Sequence, residues 1–282
     1  MKSTFIHLIT IISGTILFTG ISPLKTIAQG NLLITPVRVV FEGQKKMQEL
    51  NLANTGKDTA KYLVSLIEIR MNEDGSFEKI NEPDSGQHFA SKNLRYFPRT
   101  VMLAPGEAQL IKIQTTKISQ LTAGEYRSHI YFRAVPNEKP LGEQIPAKDS
   151  TTIAVKLIAV FGITIPVIIR IGASTTKVSI SDLSLQDSIP YRLNMSFNRT
   201  GDFSAYGDIT VNYVSPQGKI TKVGVANGMA VYAPNVVRHF HMDLNNKDGF
   251  NFHQGKLQVT YTNKKNDGAS VSELAQAELQ LK

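Results

Sequence analysis

The chain has no cysteine and no tryptophan, and only 19% of its 282 residues are charged. Without thiols there is no disulfide framework, zinc ribbon, thiol nucleophile, iron–sulfur cluster or lipid-bearing N-terminal cysteine. G-x-S-x-G, H-E-x-x-H and phosphate-binding glycine loops are missing too. Ser76–Lys79 and Ser174–Lys177 both fit S-x-x-K, but neither opens a helical pattern or has the companion motifs of a serine–lysine enzyme. His239 and His241 share one face of a strand with Asp243, and His253 lies a strand away. Exposed strand histidines explain them better than a metal site. The chain is therefore read as no enzyme, with no cofactor and no metal.

Charge of one sign is not concentrated either. Lys and Arg number 31 against 23 acids, a formal net charge of +8. The tightest basic groups, Lys45-Lys46 and Lys264-Lys265, sit beside Gly or Asn in what read as solvated loops. No nucleic-acid partner is expected. The longest apolar run outside the N-terminus, Leu157 to Ile169, is shorter than the roughly 20 residues of a membrane helix. Pro166 interrupts it and β-branched residues dominate it, so a long strand fits better.

The first residues read as an address. Lys2 is followed by an apolar stretch from Phe5 to Ile21 and a small-residue exit at Ala28, the pattern of a signal peptide over 1–28.

What remains reads as strands. Short runs rich in Val, Ile, Thr, Tyr and Phe alternate with Gly, Pro, Asn and Asp. Those expected are Leu33–Phe41, Gln48–Ala53, Tyr62–Arg70, Thr100–Leu103, Gln109–Gln114, Gly124–Ala134 and Thr152–Arg170. The second half offers Thr176–Leu185, Tyr191–Asn198, Tyr206–Val214, Gly218–Val225, Gly228–Tyr232, Val236–Leu244, Gly255–Thr262 and Leu274–Leu281. Turn residues stand between them, as at Asp74-Gly75 and Ser215-Pro216-Gln217-Gly218. This many short strands implies an all-β chain of two immunoglobulin-like sandwiches, over 29–170 and 171–282. Along Thr152–Phe161, Ile153, Val155, Leu157, Ala159 and Phe161 fall on one face. A polar, proline-bearing stretch, Pro136–Ser150, precedes it and is longer than most strand connections.

Several segments, in order, resemble the PapD-like periplasmic pilus chaperones. Leu33-Ile34-Thr35-Pro36-Val37-Arg38-Val39-Val40-Phe41 is similar to their opening strand. Leu50-Asn51-Leu52-Ala53-Asn54, Phe97-Pro98-Arg99, Leu103-Ala104-Pro105-Gly106-Glu107 and Gly124-Glu125-Tyr126-Arg127 follow suit, so that the likeness spans about 32–170. The second half resembles divergent members through Asn198-Arg199-Thr200-Gly201-Asp202 and Tyr206-Gly207-Asp208.

The resemblance implies two sandwiches at an angle, boomerang-like, in the periplasm. It also implies a partner: a pilin-like or other secreted β-rich subunit that lacks a strand, with an outer-membrane usher as a further candidate. Donor-strand complementation, a form of β-augmentation, would cap that subunit. On this reading Ile153, Val155, Leu157 and Ala159 are the inserted side chains. In the family, an arginine of the first strand and a lysine of the last grip the subunit's C-terminal carboxylate. Arg38 matches the arginine, whereas the lysine position falls at or near Thr164, which carries no charge. The alternative reading is a structural or adhesion component of the envelope that keeps the fold, and self-association through the same strand is a further expectation.

Overall fold

In the computed structural model of the chain, residues 32–136, 160–246, 249–263 and 272–281 are described. The expected signal peptide over 1–28 lies outside them. So do Ile153, Val155, Leu157 and Ala159.

Two β-sandwiches account for nearly all of it. In the first, β1 (Leu32–Thr35), β3 (Met47–Asn54), β8 (Ala108–Thr115) and β6 (Leu94–Phe97) form one sheet in the order β1-β3-β8-β6. The facing sheet runs β2 (Val39–Phe41), β10 (Gly162–Ile171), β9 (Gly124–Val135), β4 (Ala60–Met71) and β5 (Phe77–Ile80), and β7 (Thr100–Leu103) also pairs with β4. Strand period selects the core, because alternate side chains point to one face. Leu50, Leu52, Ile111 and Ile113 come from one sheet, and Val64, Ile130, Phe132, Ile165, Val167 and Ile169 from the other. Each such aliphatic side chain contributes about 1.5–3 kcal/mol through burial.

The second sandwich packs β11 (Lys177–Gln186), β12 (Arg192–Thr200) and β15 (Val237–Asp243) against a sheet ordered β14 (Ile220–Val231), β13 (Ala205–Val214), β16 (Lys256–Asn263) and β17 (Ser272–Gln280). Its core holds Leu193, Ile209, Val211, Leu257 and Val259, with Phe197 edge-on to Tyr261 at 5.1 Å.

Two expectations need correction, and two strands were not expected. Leu33–Phe41 is not one strand: it breaks at Pro36, so β1 joins one sheet by pairing with β3 and β2 joins the other beside β10. Proline has no N–H for the ladder, which suits the crossing point. Gly218–Val225 and Gly228–Tyr232 are not two strands either. β14 is continuous, and Gly228, at φ +72°, sits in a bulge whose N–H donates to Asp208 Oδ1 at 2.9 Å. A glycine read as punctuation can instead be the extra residue of a bulge. The remaining two, β5 and β6, escaped notice because their short, charge-bearing sequences show little alternation. Within the described residues the apolar run around Pro166 is strand β10, with no helix in it.

Candidate functional site

The site is built around one edge of β10. On one side this strand pairs with β9 along its whole length, from Gly162 opposite Arg133 to Ile171 opposite Gly124. On the other side β2 covers only Val167, Ile168 and Ile169, running parallel. Among the described residues, Gly162–Pro166 have no strand on that side. With no described strand beside Gly162–Thr164 on that side, the backbone of that stretch is a template for another chain.

The side chains along that edge follow one parity. Ile165, Val167 and Ile169 face the core of the first sandwich, and upstream of them Ile163 is 37% and Phe161 63% exposed. Phe161 still belongs to the ladder, since its carbonyl accepts the Ala134 N–H at 2.9 Å. The apolar stripe thus continues past the end of its own core. Ile153, Val155, Leu157 and Ala159 share this odd parity in sequence.

Arg38 immediately precedes β2, and register places it beside Pro166, where the free edge begins. Val39 and Phe41 face the core, so Arg38 points away from it, toward the second sandwich. There its guanidinium lies 4.4 Å from the ring centroid of Tyr206 and 5.6 Å from that of Tyr232. It is 7% exposed, and its Nη1 has no hydrogen-bond partner. Among the described residues no carboxylate pairs with it. A cation held on aromatic faces, desolvated and without an anion, is a receptor for one. Thr164 lies two residues up β10 from Pro166 on the same face, but it is exposed and lines no part of the cleft below.

More basic side chains crowd the same buried face. Arg127, opposite Ile168, stacks 4.4 Å over Tyr232, and its amino groups reach only the carbonyls of Ile69 (3.4 Å) and Ala233 (3.5 Å). Burial and the nearby Arg38 lower its pKa, against the opposing pull of Glu125 and Glu68. His129, two residues along, is T-shaped to Tyr232 at 6.3 Å and has an unpartnered Nδ1. Burial first, then Arg127 and Arg38, hold its pKa well below the ordinary histidine value.

Two ties hold the sandwiches together around this face. Arg170, at the end of β10, donates from Nε to Glu125 (2.9 Å), from Nη1 to Glu42 (2.8 Å) and from Nη2 to the Ser204 carbonyl (2.9 Å). Glu125 also accepts from the Ser204 N–H at 3.0 Å and from the Ser204 hydroxyl. Burial opposes the charge on Arg170, but the two carboxylates outweigh it and its pKa is raised. The second tie is the β4–β5 hairpin, whose Glu73 carbonyl accepts the His239 N–H of β15 at 2.7 Å. Nearby, Asn235 Nδ2 donates to the Met71 carbonyl at 2.6 Å.

Between the sandwiches, beside β2, lies a cleft of about 1200 Å³. Arg38, Lys45, Arg170, Lys177, Tyr206 and Glu273 are among its lining residues.

No known protein-family model matches the chain, and no curated protein matches it. Solved structures that it resembles are chaperones. The YadV chaperone is 13% identical over 89% of this chain and 99% of its own, with a TM-score of 0.44. The CupB2 chaperone of Pseudomonas aeruginosa is 12% identical over 88% and 100%, at 0.42. DraB of E. coli is 13% identical over 90% and 97%, also at 0.42. At identities and scores this low, the functional reading rests on the residues of this chain.

Of the residues singled out in the sequence, Arg38 reaches the cleft and Thr164 does not. Tyr206 and Tyr232, which hold Arg38, carried no such role in the sequence reading. Tyr206 stood within a stretch of resemblance and at the start of an expected strand, and Tyr232 at the end of another. His239 and His241 stay together on one exposed face of β15, where His239 Nδ1 meets Ser196 Oγ at 3.0 Å, whereas His253 turns away to Asp187 at 3.8 Å.

Proposed function

We propose that this chain is a periplasmic chaperone-like protein that captures a secreted, β-rich subunit by lending it the edge of β10. The half-covered edge supports this reading most directly. Among the described residues Gly162–Pro166 have no strand on the side away from β9, and exposed Phe161 and Ile163 extend the core-facing parity. A partner whose own core is missing a strand would receive those side chains as knobs, while main-chain bonds zip the edge.

The position of Arg38 fixes a direction. A strand added along this edge can descend only to where β2 begins, so its end meets Arg38. If that end is a C-terminus, its carboxylate falls on the guanidinium, whose Nη1 has no hydrogen-bond partner among the described residues, and the added strand must run parallel to β10. Bidentate pairing of carboxylate and guanidinium is strong and directional. The same arrangement calls for recognition of an anion and an edge, so the role is binding.

The test uses the tagged full chain in its own periplasm, with mild crosslinking and mass spectrometry. The expected result is one small β-rich secreted subunit, recovered with the wild type and lost with Arg38→Ala. Recovery of the chain alone, unchanged by that substitution, would favour self-association or a structural role and overturn the reading.

A further inference from the structure

A carboxylate drawn out of water is poorly served by one cation, and Thr164 supplies none. We propose that Lys177, from the second sandwich, is the second cation of the carboxylate site. This rests on the reading above and extends it.

The cations of the cleft can be taken in turn. Arg170 is committed to Glu125, Glu42 and the Ser204 carbonyl. Lys45 has interactions of its own. Arg127 is buried under Tyr232 and does not line the cleft. Lys177 lines the same cleft as Arg38, is exposed, and makes no ion pair among the described residues. The carboxylates of the lining are Glu42, tied to Arg170, and Glu273, so an anion entering the cleft meets an excess of positive charge.

The backbone ahead of Lys177 is pinned. Asp202 Oδ1 accepts from the N–H and the hydroxyl of Thr175, at 2.8 and 2.9 Å. The Thr176 hydroxyl donates to the Phe203 carbonyl and accepts the Phe203 N–H, both at 2.8 Å. Gly201, at φ +87°, packs so closely on Thr175 and Thr176 that a side chain there would strike their backbone. Val178 then turns into the second core. Lys177 therefore stands at a fixed point on the cleft wall formed by the second sandwich, with Arg38 on the wall formed by the first. A carboxylate between them would be held by both sandwiches at once, so occupancy would depend on the ties that fix their relation. A lysine on a flexible stem suits this position, because it acts as a point charge without demanding one geometry.

The probe is an N-acetylated hexapeptide of alternating threonine and valine ending in a free carboxylate, compared with its C-terminal amide. Binding to the full chain is followed by NMR titration at two salt concentrations. The wild type should prefer the acid over the amide. Lys177→Ala should reduce that preference by about three- to tenfold and flatten its salt dependence, with binding of the amide unchanged. Lys177→Arg should restore it. If Arg38→Ala abolishes the preference while Lys177→Ala leaves it intact, Lys177 is not the second cation and the wider reading survives. A wild type that does not prefer the acid overturns both.

Discussion

Arg38 and Tyr206 come from opposite sandwiches, yet the guanidinium of one lies 4.4 Å from the ring centroid of the other. Tyr232 flanks the same guanidinium and also carries Arg127. The second sandwich thus contributes aromatic faces, and the first contributes charge. This division explains how a buried arginine persists without a carboxylate among the described residues: quadrupole attraction of up to about 2 kcal/mol per desolvated contact partly offsets the lost hydration. It also leaves Nη1 of Arg38 without a hydrogen-bond partner among the described residues.

Removing Arg38 should therefore cost little stability. Arg38→Ala loses its ring contacts but also removes an unsatisfied buried donor, and these effects oppose one another. The expected change in unfolding free energy is within about 1 kcal/mol by urea denaturation. A loss of several kcal/mol would mark Arg38 as a structural tie and remove the case for a vacant receptor.

Glu125 should behave in the opposite way. It accepts from Arg170 and twice from Ser204, and its side chain is almost wholly buried. Glu125→Ala leaves Arg170 with the exposed Glu42 as its counter-charge and takes the acceptor from the Ser204 N–H and hydroxyl, so the expected cost is about 2–4 kcal/mol. Chemical denaturation of the two variants, run side by side, separates the receptor from the tie.

His129 gives the chain an acid-sensitive face. Its folded pKa is depressed, so below the unfolded value of about 6.5 the unfolded chain takes up a proton that the folded chain resists. Stability from this source is complete above that pH and falls as pH drops from it toward the folded value. A charge on His129 would face Arg127 on its own strand, Arg38 ahead of β2, and the phenol of Tyr232, with Glu68 the acid that acts on Arg127. His129→Phe should flatten stability against pH between about 6.5 and 5. An unchanged slope would show that another group controls that limb.

The core was legible in the sequence and the cleft was not, for a physical reason. Alternation at Leu50, Leu52, Ile111 and Ile113 records which face of a strand is buried, a property of each segment alone. The site is a property of pairs. Tyr206, Tyr232 and Lys177 matter only because the second sandwich brings them against Arg38, and nothing in their own neighbourhoods marks that. Arg38 itself was found through resemblance, since a lone arginine in a strand has no periodic signal. Gly228 shows the converse, a residue with a clear local signal whose meaning depended on the strand beside it.

The β4–β5 hairpin offers a test of how firmly the sandwiches are held. Gly75 sits at φ +84°, and an added Cβ would come within 2.5 Å of the Arg238 guanidinium. Gly75→Val is strained in its backbone and also pushes on Arg238, which lies over Phe240 and donates to the Ala230 carbonyl. The expected cost is about 1–3 kcal/mol. Amide exchange should quicken along β15, at His239 first, because its N–H bonds to the Glu73 carbonyl. Unchanged protection at His239 would show that the hairpin only rests there.

Ile163 and Ile165 decide whether β10 is a lent strand or an ordinary one. They share a face two residues apart, but Ile165 is 4% exposed and packs in the first core, whereas Ile163 is 37% exposed. Ile165→Asp buries a carboxylate without a partner and should unfold the first sandwich. Ile163→Asp places the same carboxylate in water at the free edge, so melting should shift by no more than a few degrees. Capture of the subunit should nevertheless fall at least tenfold, because the charge would enter the partner's core. Circular dichroism and the crosslinking assay read the two consequences separately. If Ile163→Asp unfolds the protein as Ile165→Asp does, its side chain already belongs to this chain's own core, and no strand is available to lend.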